Sequence, residues 1–244
     1  MPSTVVHVGF ALLLAAALLG PAYDRRALVV VAGAVAFVDL DAFVALVVPN
    51  THRAAFHTLL LPLAVGTYLY ADTRLAQRST VRERWGDRGV RVAWTALVAV
   101  LVSGIGLDLF TAGGVNPLYP LFDQFYAFTG SVKWSSAEGF VQTFVEVRPP
   151  DTDGSTGGGG TVDVGGRGST REYRVDTAVD PTEGPEDPGV ERVVPVAYAG
   201  WQTTLVASGA VVTALKLRWA DSPLALESKE PRGAGADPST DDDD

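Results

Sequence analysis

The sequence predicts a mainly α-helical, polytopic membrane bundle of about five transmembrane helices, with a small β-rich extracytoplasmic insertion before the last helix. Three observations carry this. Hydrophobic residues make up 47% of the 244 residues and fall in long blocks. Five of these blocks approach the roughly 20 apolar residues that a helix needs to cross the hydrocarbon. Basic residues, mostly Arg with Lys nearly absent, gather beside alternate block ends, as the positive-inside rule requires of a polytopic chain.

The first block, residues 5–20, reads VVHVGFALLLAAALLG. It has no basic leader and a histidine near its start, so it reads as a retained helix and not a signal peptide. The others are residues 27–48, 56–71, 90–110 and 196–217. The first and third are short for a span, so tilt or shelter by neighbours is expected. The loop 72–89 carries Arg74, Arg78, Arg82, Arg84 and Arg88 and is assigned to the cytoplasm. The Asp24-Arg25-Arg26 turn and the Lys216/Arg218 end of the last block fall on that same side. The N-terminus and residues 111–195 are then extracytoplasmic, and the C-terminus is cytoplasmic.

Residues 113–128, GGVNPLYPLFDQFYAF, are aromatic and Pro-punctuated, and predict an interfacial loop with one short helix. Asn116-Pro117 and Pro120 are turn formers, and the aromatic residues around 119–134 form an interfacial belt. The stretches GFVQTFVEVRP, TVDVGGRG, REYRVDTAV and VERVVPV alternate or are β-branched, and predict short strands. DGSTGGGG, within 151–160, is a flexible connection. Both it and VGGRG read as linkers and not phosphate loops, because no Lys-Ser/Thr follows. The organisation is a helical core at 1–130, a β-rich lobe at 131–195, a last helix at 196–219 and a disordered acidic tail at 220–244. Thr51 is a plausible N-cap for the third helix.

A net charge of −9 argues against a nucleic-acid partner. Acid excess with Arg over Lys resembles a salt-adapted composition. With no cysteine, disulfides and thiolate metal sites are excluded.

Ionisable groups inside apolar segments cost roughly 2.5–3.5 kcal/mol each on insertion scales. This chain holds several. His7 opens the first block, Asp39 and Asp41 sit late in the second, and Asp108 ends the fourth. His52 and His57 frame the HRAAFH turn before the third. With the predicted topology all six reach a similar depth near the outer face. Imidazole and carboxylate together suit Zn, Mn, Fe or Ni. A cation also offsets the cost of burying carboxylates. On a regular helix Asp39 and Asp41 point about 200° apart. Either the helix breaks there, or one is a ligand and the other its support. His52 and His57 lie about 140° apart around a helix and converge only if the turn is irregular. Arg53 is placed to pair with Asp39 or Asp41, or with an anionic substrate.

These residues resemble the YdjM-like family of membrane-bound, metal-dependent hydrolases, also called the LexA-binding inner-membrane family. His7 in TVVHVGFAL matches the family's early His. Asp39-Leu40-Asp41 matches its Asp-x-Asp, and HRAAFHT its His-Arg-Gly-x-Thr-His-Ser turn. SGIGLDLFTAGGVNPLYPLF, with Asp108, matches its Ser-His-x-x-x-Asp before a Gly turn and a Pro-aromatic stretch. The likeness covers about the first half of the chain. Ala54 and Phe56 replace the turn Gly and Thr, and Gly104 replaces the family His.

The resemblance implies metal-assisted hydrolysis with a divalent ion held by His7, Asp39, Asp41, His52, His57 and Asp108. Asp39 or Asp41 is the expected general base, and Arg53 is expected to stabilise developing negative charge. The expected substrate is an amphiphilic small molecule met at the lipid bilayer. Two rival readings stand beside it: a non-catalytic structural or interaction protein with a metal or polar core, favoured by Gly104, and a small ion or proton transporter.

Overall fold

The computed structural model describes residues 3–148, 161–163, 165–182 and 189–220. Among them are seven α-helices and six short strands. The expected linker at 151–160 and the acidic tail beyond residue 220 lie outside the described residues.

Helix α1 (Thr4–Leu18) starts at Ser3, whose hydroxyl accepts from the Val6 N–H, and ends in a 3-10 turn at Gly20–Ala22. Helix α2 (Arg25–Val38) is capped by Asp24, which accepts from the Ala27 N–H at 2.8 Å. That bond, with the Arg88 guanidinium, holds the Asp24 carboxyl below the usual range. After a turn at Asp39-Leu40 comes the one-turn helix α3 (Asp41–Val44). The chain next bends through residues 49–58 and enters α4 (Leu60–Tyr70), which continues as a π-helical turn, Ala71–Leu75.

Helix α5 (Thr80–Ala99) is capped by Ser79 and broken once, at Gly86, where φ is 67°. It runs on through a π-helical stretch, Val100–Gly106, into α6 (Leu107–Leu109). The fourth expected segment therefore begins ten residues early, inside the expected Arg-rich loop. Asp72 explains the nucleation. It accepts from the Ser79 hydroxyl at 2.6 Å and from the Thr80 and Val81 N–H groups at 2.8 and 3.1 Å, satisfying the first turn of α5. The Ser79 bond, followed by those backbone donors, lowers the Asp72 carboxyl from its ordinary value.

Contacts fix the directions of the rods. Asp24, the cap of α2, meets Arg88 in the first half of α5, and Asp39 at the far end of α2 lies near Asp108 on α6, so α2 and α5 run parallel. Helix α7 (Gly200–Ala220) runs parallel to α1: Ser3 bonds the carbonyl of Val196, Gly9 abuts Val206, and Lys216 donates to the Ala16 carbonyl. Glycine is required at this crossing, because a Cβ on Gly209 would lie 2.2 Å from the Gly9 carbonyl oxygen. Lys216 also covers the Tyr23 ring, 4.4 Å from its centroid. Two stretches are long and apolar enough to cross a membrane, Arg25–Val44 and Thr80–Leu109, while α1 is apolar but shorter. The main apolar core lies between α1, α2 and α5, around Ala15, Leu19, Val31, Val35 and Ala99.

The polar end carries the irregular structure. Strands β1 (Phe125–Tyr126) and β6 (Gly166–Gly168) pair antiparallel, as do β2 (Val132–Ser135) with β3 (Gly139–Gln142), and β4 (Glu146–Arg148) with β5 (Thr161–Asp163). VGGRG is thus a strand partner and not a linker. Gly165 (φ +79°) sits where a Cβ would lie 2.3 Å from the Ala127 carbonyl oxygen. Residues 171–179 and the described part of 190–196 form no strand, against expectation. Side-chain and backbone bonds hold them, as shown below, so no ladder is needed. Residues 113–128 hold turns and β1 but no helix, because their prolines and the Val115–Tyr126 bridge hold the chain extended.

Candidate metal centre

The turn between α3 and α4 is built on Asp41. Its carboxylate is fully buried and accepts four donors. His52 Nδ1 lies 2.8 Å from one oxygen. His57 Nδ1 at 2.8 Å, the Arg53 N–H at 2.9 Å and the Phe56 N–H at 3.4 Å reach the other. Two of these donors are backbone amides, which only donate, so the group facing them is an ionised acceptor. Arg53 takes a positive φ of 61° to aim its N–H at Asp41 and its carbonyl at the Asn116 N–H, 2.8 Å away. Thr51 caps no helix: its hydroxyl donates to the Val48 carbonyl, and α4 begins only at Leu60.

A second constellation lies beside it. Asp39, at the C-terminal end of α2, His7 on α1 and Asp108 on α6 bring ligand atoms within 4.8 Å of one another. His57 Nε2 lies 3.5 Å from Asp39 Oδ1 and 3.2 Å from Asp108 Oδ2, and His7 Nε2 is 3.5 Å from Asp108 Oδ1. Donor atoms about 2 Å from one metal ion stand roughly 3–4.5 Å apart. The spacing therefore fits a single ion.

Each imidazole is locked by its far nitrogen. His7 Nδ1 faces the main-chain carbonyl of Ser103, and the Ser103 hydroxyl returns a bond of 2.6 Å to the His7 carbonyl. A carbonyl only accepts, so Nδ1 carries a proton and Nε2 is left facing the carboxylates. Ser103 lies in the π-helical stretch before α6, the kind of local widening that re-aims backbone groups. His57 follows the same logic, donating from Nδ1 to Asp41.

Two ring nitrogens and two carboxylates thus lie close together. Among the described residues, seven buried side-chain polar atoms have no hydrogen-bond partner, and four belong to this cluster: His7 Nε2, His57 Nε2, Asp39 Oδ2 and Arg53 Nε. Each buried orphan costs about 1–3 kcal/mol, and a cation satisfies the first three together. Charge agrees. Asp39, Asp41 and Asp108 stand against the single guanidinium of Arg53, so carboxylates outnumber that fixed cation by two.

The six sequence-selected residues are therefore brought together, but not as equals. His7, Asp39 and Asp108 converge on one point with His57 Nε2 beside the two carboxylates, whereas Asp41 and His52 lie behind. The helix breaks between Asp39 and Asp41, and the two carboxylates face different partners. Arg53 does not pair through its guanidinium with Asp39 or Asp41. It donates to Asp108 at 2.7 Å and to Thr111 at 3.0 Å, because its positive φ sends the side chain toward α6. Sequence reasoning missed Ser103 as the group that orients His7. Its place in the family's Ser-His-x-x-x-Asp pattern was the available signal.

Gly104, where the family pattern has His, lies in the same stretch. A Cβ there would meet only Val38, at an ordinary 3.6 Å. The cluster closes without a ligand from this position.

No match was found among curated proteins or among solved structures. The family model described as YdjM inner membrane protein matches residues 1–153, a stretch that contains every member of the cluster. Together with the apolar rods and the buried His/Asp centre, this places the chain in the YdjM inner membrane protein family.

Proposed function

We propose that the protein is a membrane-bound, metal-dependent hydrolase whose centre lies at the extracytoplasmic membrane face. The unpartnered Nε2 atoms of His7 and His57, close to Asp39 and Asp108, are the observation that carries this reading. His7, His57, Asp39 and Asp108 would hold one divalent ion, and Asp41 would orient His57. Two imidazoles and two carboxylates suit Zn, Mn, Fe or Ni. A divalent ion there supplies Lewis acidity and lowers the pKa of a bound water toward neutrality. Asp39 would bind the ion through one carboxylate oxygen and take a proton from attacking water through the other. Arg53 holds Asp108 in place and lends positive charge to the centre. His52, bonded to Asp41 and lining the adjacent cavity, is the group nearest to incoming substrate.

The topology belongs to the same proposal. The rods α1, α2–α3, α4, α5–α6 and α7 alternate in direction and would each cross the bilayer, α1 and α4 with local thinning or shelter. Arg26, Arg88, Lys216 and Arg218 lie at the cytoplasmic end and the His/Asp centre at the other, so the N-terminus and 111–195 face outward. The helical core 1–130, the outer lobe 131–195, the last helix and the acidic tail remain the proposed division.

Metal content by mass spectrometry of detergent-purified protein tests the centre. Near-stoichiometric metal, lost in His7→Ala/His57→Ala, is the expected result, with ester or phosphoester hydrolysis lost in parallel. Wild type that stays metal-free after reconstitution with each ion would refute the proposal. Gly104 favours one other reading, a metal-stapled core without turnover. Bound metal with no hydrolysis across acyl and phosphoryl esters would select it.

A further inference from the structure

A cavity of about 550 Å³ opens directly onto the centre. Its floor holds Asp39, His52, Arg53 and Asp108. Its opposite wall comes from residues 176–181 and 191–198, all beyond residue 153, where the family match ends. The match therefore accounts for the centre and not for the surface that faces it.

That wall is built, although it contains no strand. Arg174 reaches Asp176 at 2.8 Å and Asp180 at 3.0 Å. Arg192 donates to the carbonyls of Ala178 and Val179 at 2.9 and 2.8 Å. The Ser3 hydroxyl bonds the Val196 carbonyl at 2.6 Å and ties the wall to the start of α1. These bonds fix the backbone before any ligand arrives, which lowers the ordering cost of binding.

The chemistry of the cavity is split. Ligand-type groups and Arg53 occupy the floor, and Asp176 and Glu191 add two carboxylates to the wall. Val5, Phe43, Val179, Val193 and Val194 make the sides. Phe43 is 55%, Val193 53% and Val194 78% exposed, so the rim is apolar and open. Large exposed apolar residues gathered at the mouth of a polar-floored cavity mark a surface that meets lipid or an apolar ligand. The volume falls within the 300–1,000 Å³ of small-molecule sites. It holds a polar head and the first carbons of a chain, and leaves the rest of the chain outside.

Building on the hydrolase reading, we propose that this cavity takes a chain-bearing amphiphile with an anionic ester head, and that residues 176–181 and 191–198 determine this specificity. The head rests on the floor, and the chain leaves across Val179, Val193 and Phe43. The selecting surface belongs to this chain's own lobe.

Calorimetric titration of the full-length protein in nanodiscs with butyl phosphate and methyl phosphate tests this, with and without chelator. Both probes have the same head and are water-soluble. Burial of a methylene strengthens binding roughly fourfold, so butyl phosphate should bind at least tenfold more tightly. Val179→Trp, or Ala42→Phe on the facing side, should remove that preference while metal content stays at the wild-type level. Equal affinity for the two probes, or an undiminished preference in both variants, overturns the proposal. A preference that persists in a protein shown to hold no metal supports the amphiphile cavity while sinking the hydrolase reading. Loss of preference in metal-loaded wild type sinks the cavity proposal alone.

Discussion

Asp41→Asn separates a ligand from the group that supports it. Asp41 Oδ2 faces His57 Nδ1 and the N–H groups of Arg53 and Phe56, whereas Oδ1 faces only His52 Nδ1. An Asn must keep its oxygen on the three-donor side, because its amide would clash with two fixed backbone donors. His57 then keeps an acceptor, but a neutral one. Hydrogen bonds to charged groups are worth about 1.5–3 kcal/mol and neutral ones about 0.5–1.5. Weakening the two imidazole bonds thus costs about 2–3 kcal/mol. Loss of a partner behind a ligating His lowers metal affinity about 10–100-fold, the same range. Competition against a fluorescent chelator measures it, with circular dichroism to confirm folding. Asp39→Asn should abolish binding, and Asp41→Asn should weaken it by that factor. Wild-type affinity in Asp41→Asn, or a loss as complete as in Asp39→Asn, would refute the two-layer arrangement.

Removal of metal by chelator should lower the Tm. At a free-ion level 100-fold above Kd, bound ion stabilises by about 2.7 kcal/mol, and an unchanged melting curve would count against the centre. Gly209→Val should destabilise by about 1–3 kcal/mol through overpacking at the α1–α7 crossing. Gly33→Ala, with open space around the new methyl, should be neutral or stabilising by up to ~1 kcal/mol; equal Tm losses would contradict the crossing. Asp72 titrates below its ordinary range in the folded chain. Its contribution is therefore present above the unfolded value of about 3.9 and fades as pH falls through the folded value. The Tm gap between wild type and Asp72→Asn should narrow below about pH 4. Because the chain has no cysteine, Glu172→Cys and Arg84→Cys provide single labels. An impermeant maleimide applied to intact cells should modify the first and spare the second, and the reverse pattern would invert the topology.

The helical content was legible from apolar block length alone, since hydrocarbon thickness and backbone hydrogen bonding set the same requirement on any sequence. The identity of the six His/Asp residues was legible for a related reason. Ionisable groups are expensive within apolar segments, so their presence at His7, Asp39, Asp41 and Asp108 carried information before any geometry. Segment boundaries were less legible. The start of α5 depends on Asp72 reaching Ser79, Thr80 and Val81, and a side chain seven or more residues away leaves no mark on local hydropathy.

Only the tertiary structure decided which of these residues converge. Asp39 and Asp41 are chemically the same, and spacing does not rank them. The break after Val38 turns Asp39 toward His7 and Asp108 and leaves Asp41 beneath the turn that holds His52 and His57. The partner of Arg53 was hidden likewise, because a positive φ at a non-glycine residue is imposed by the bonds around it and not by its own preference. The wall at 176–181 and 191–198 lay furthest from reach. Its β-branched residues carry a strand pattern, but its form comes from Arg174, Arg192 and Ser3 bonding across the fold. Sequence thus determined which residues were costly enough to need a purpose, and long-range contacts decided the place of each, because a side chain's direction follows from backbone turns that its neighbours in space enforce.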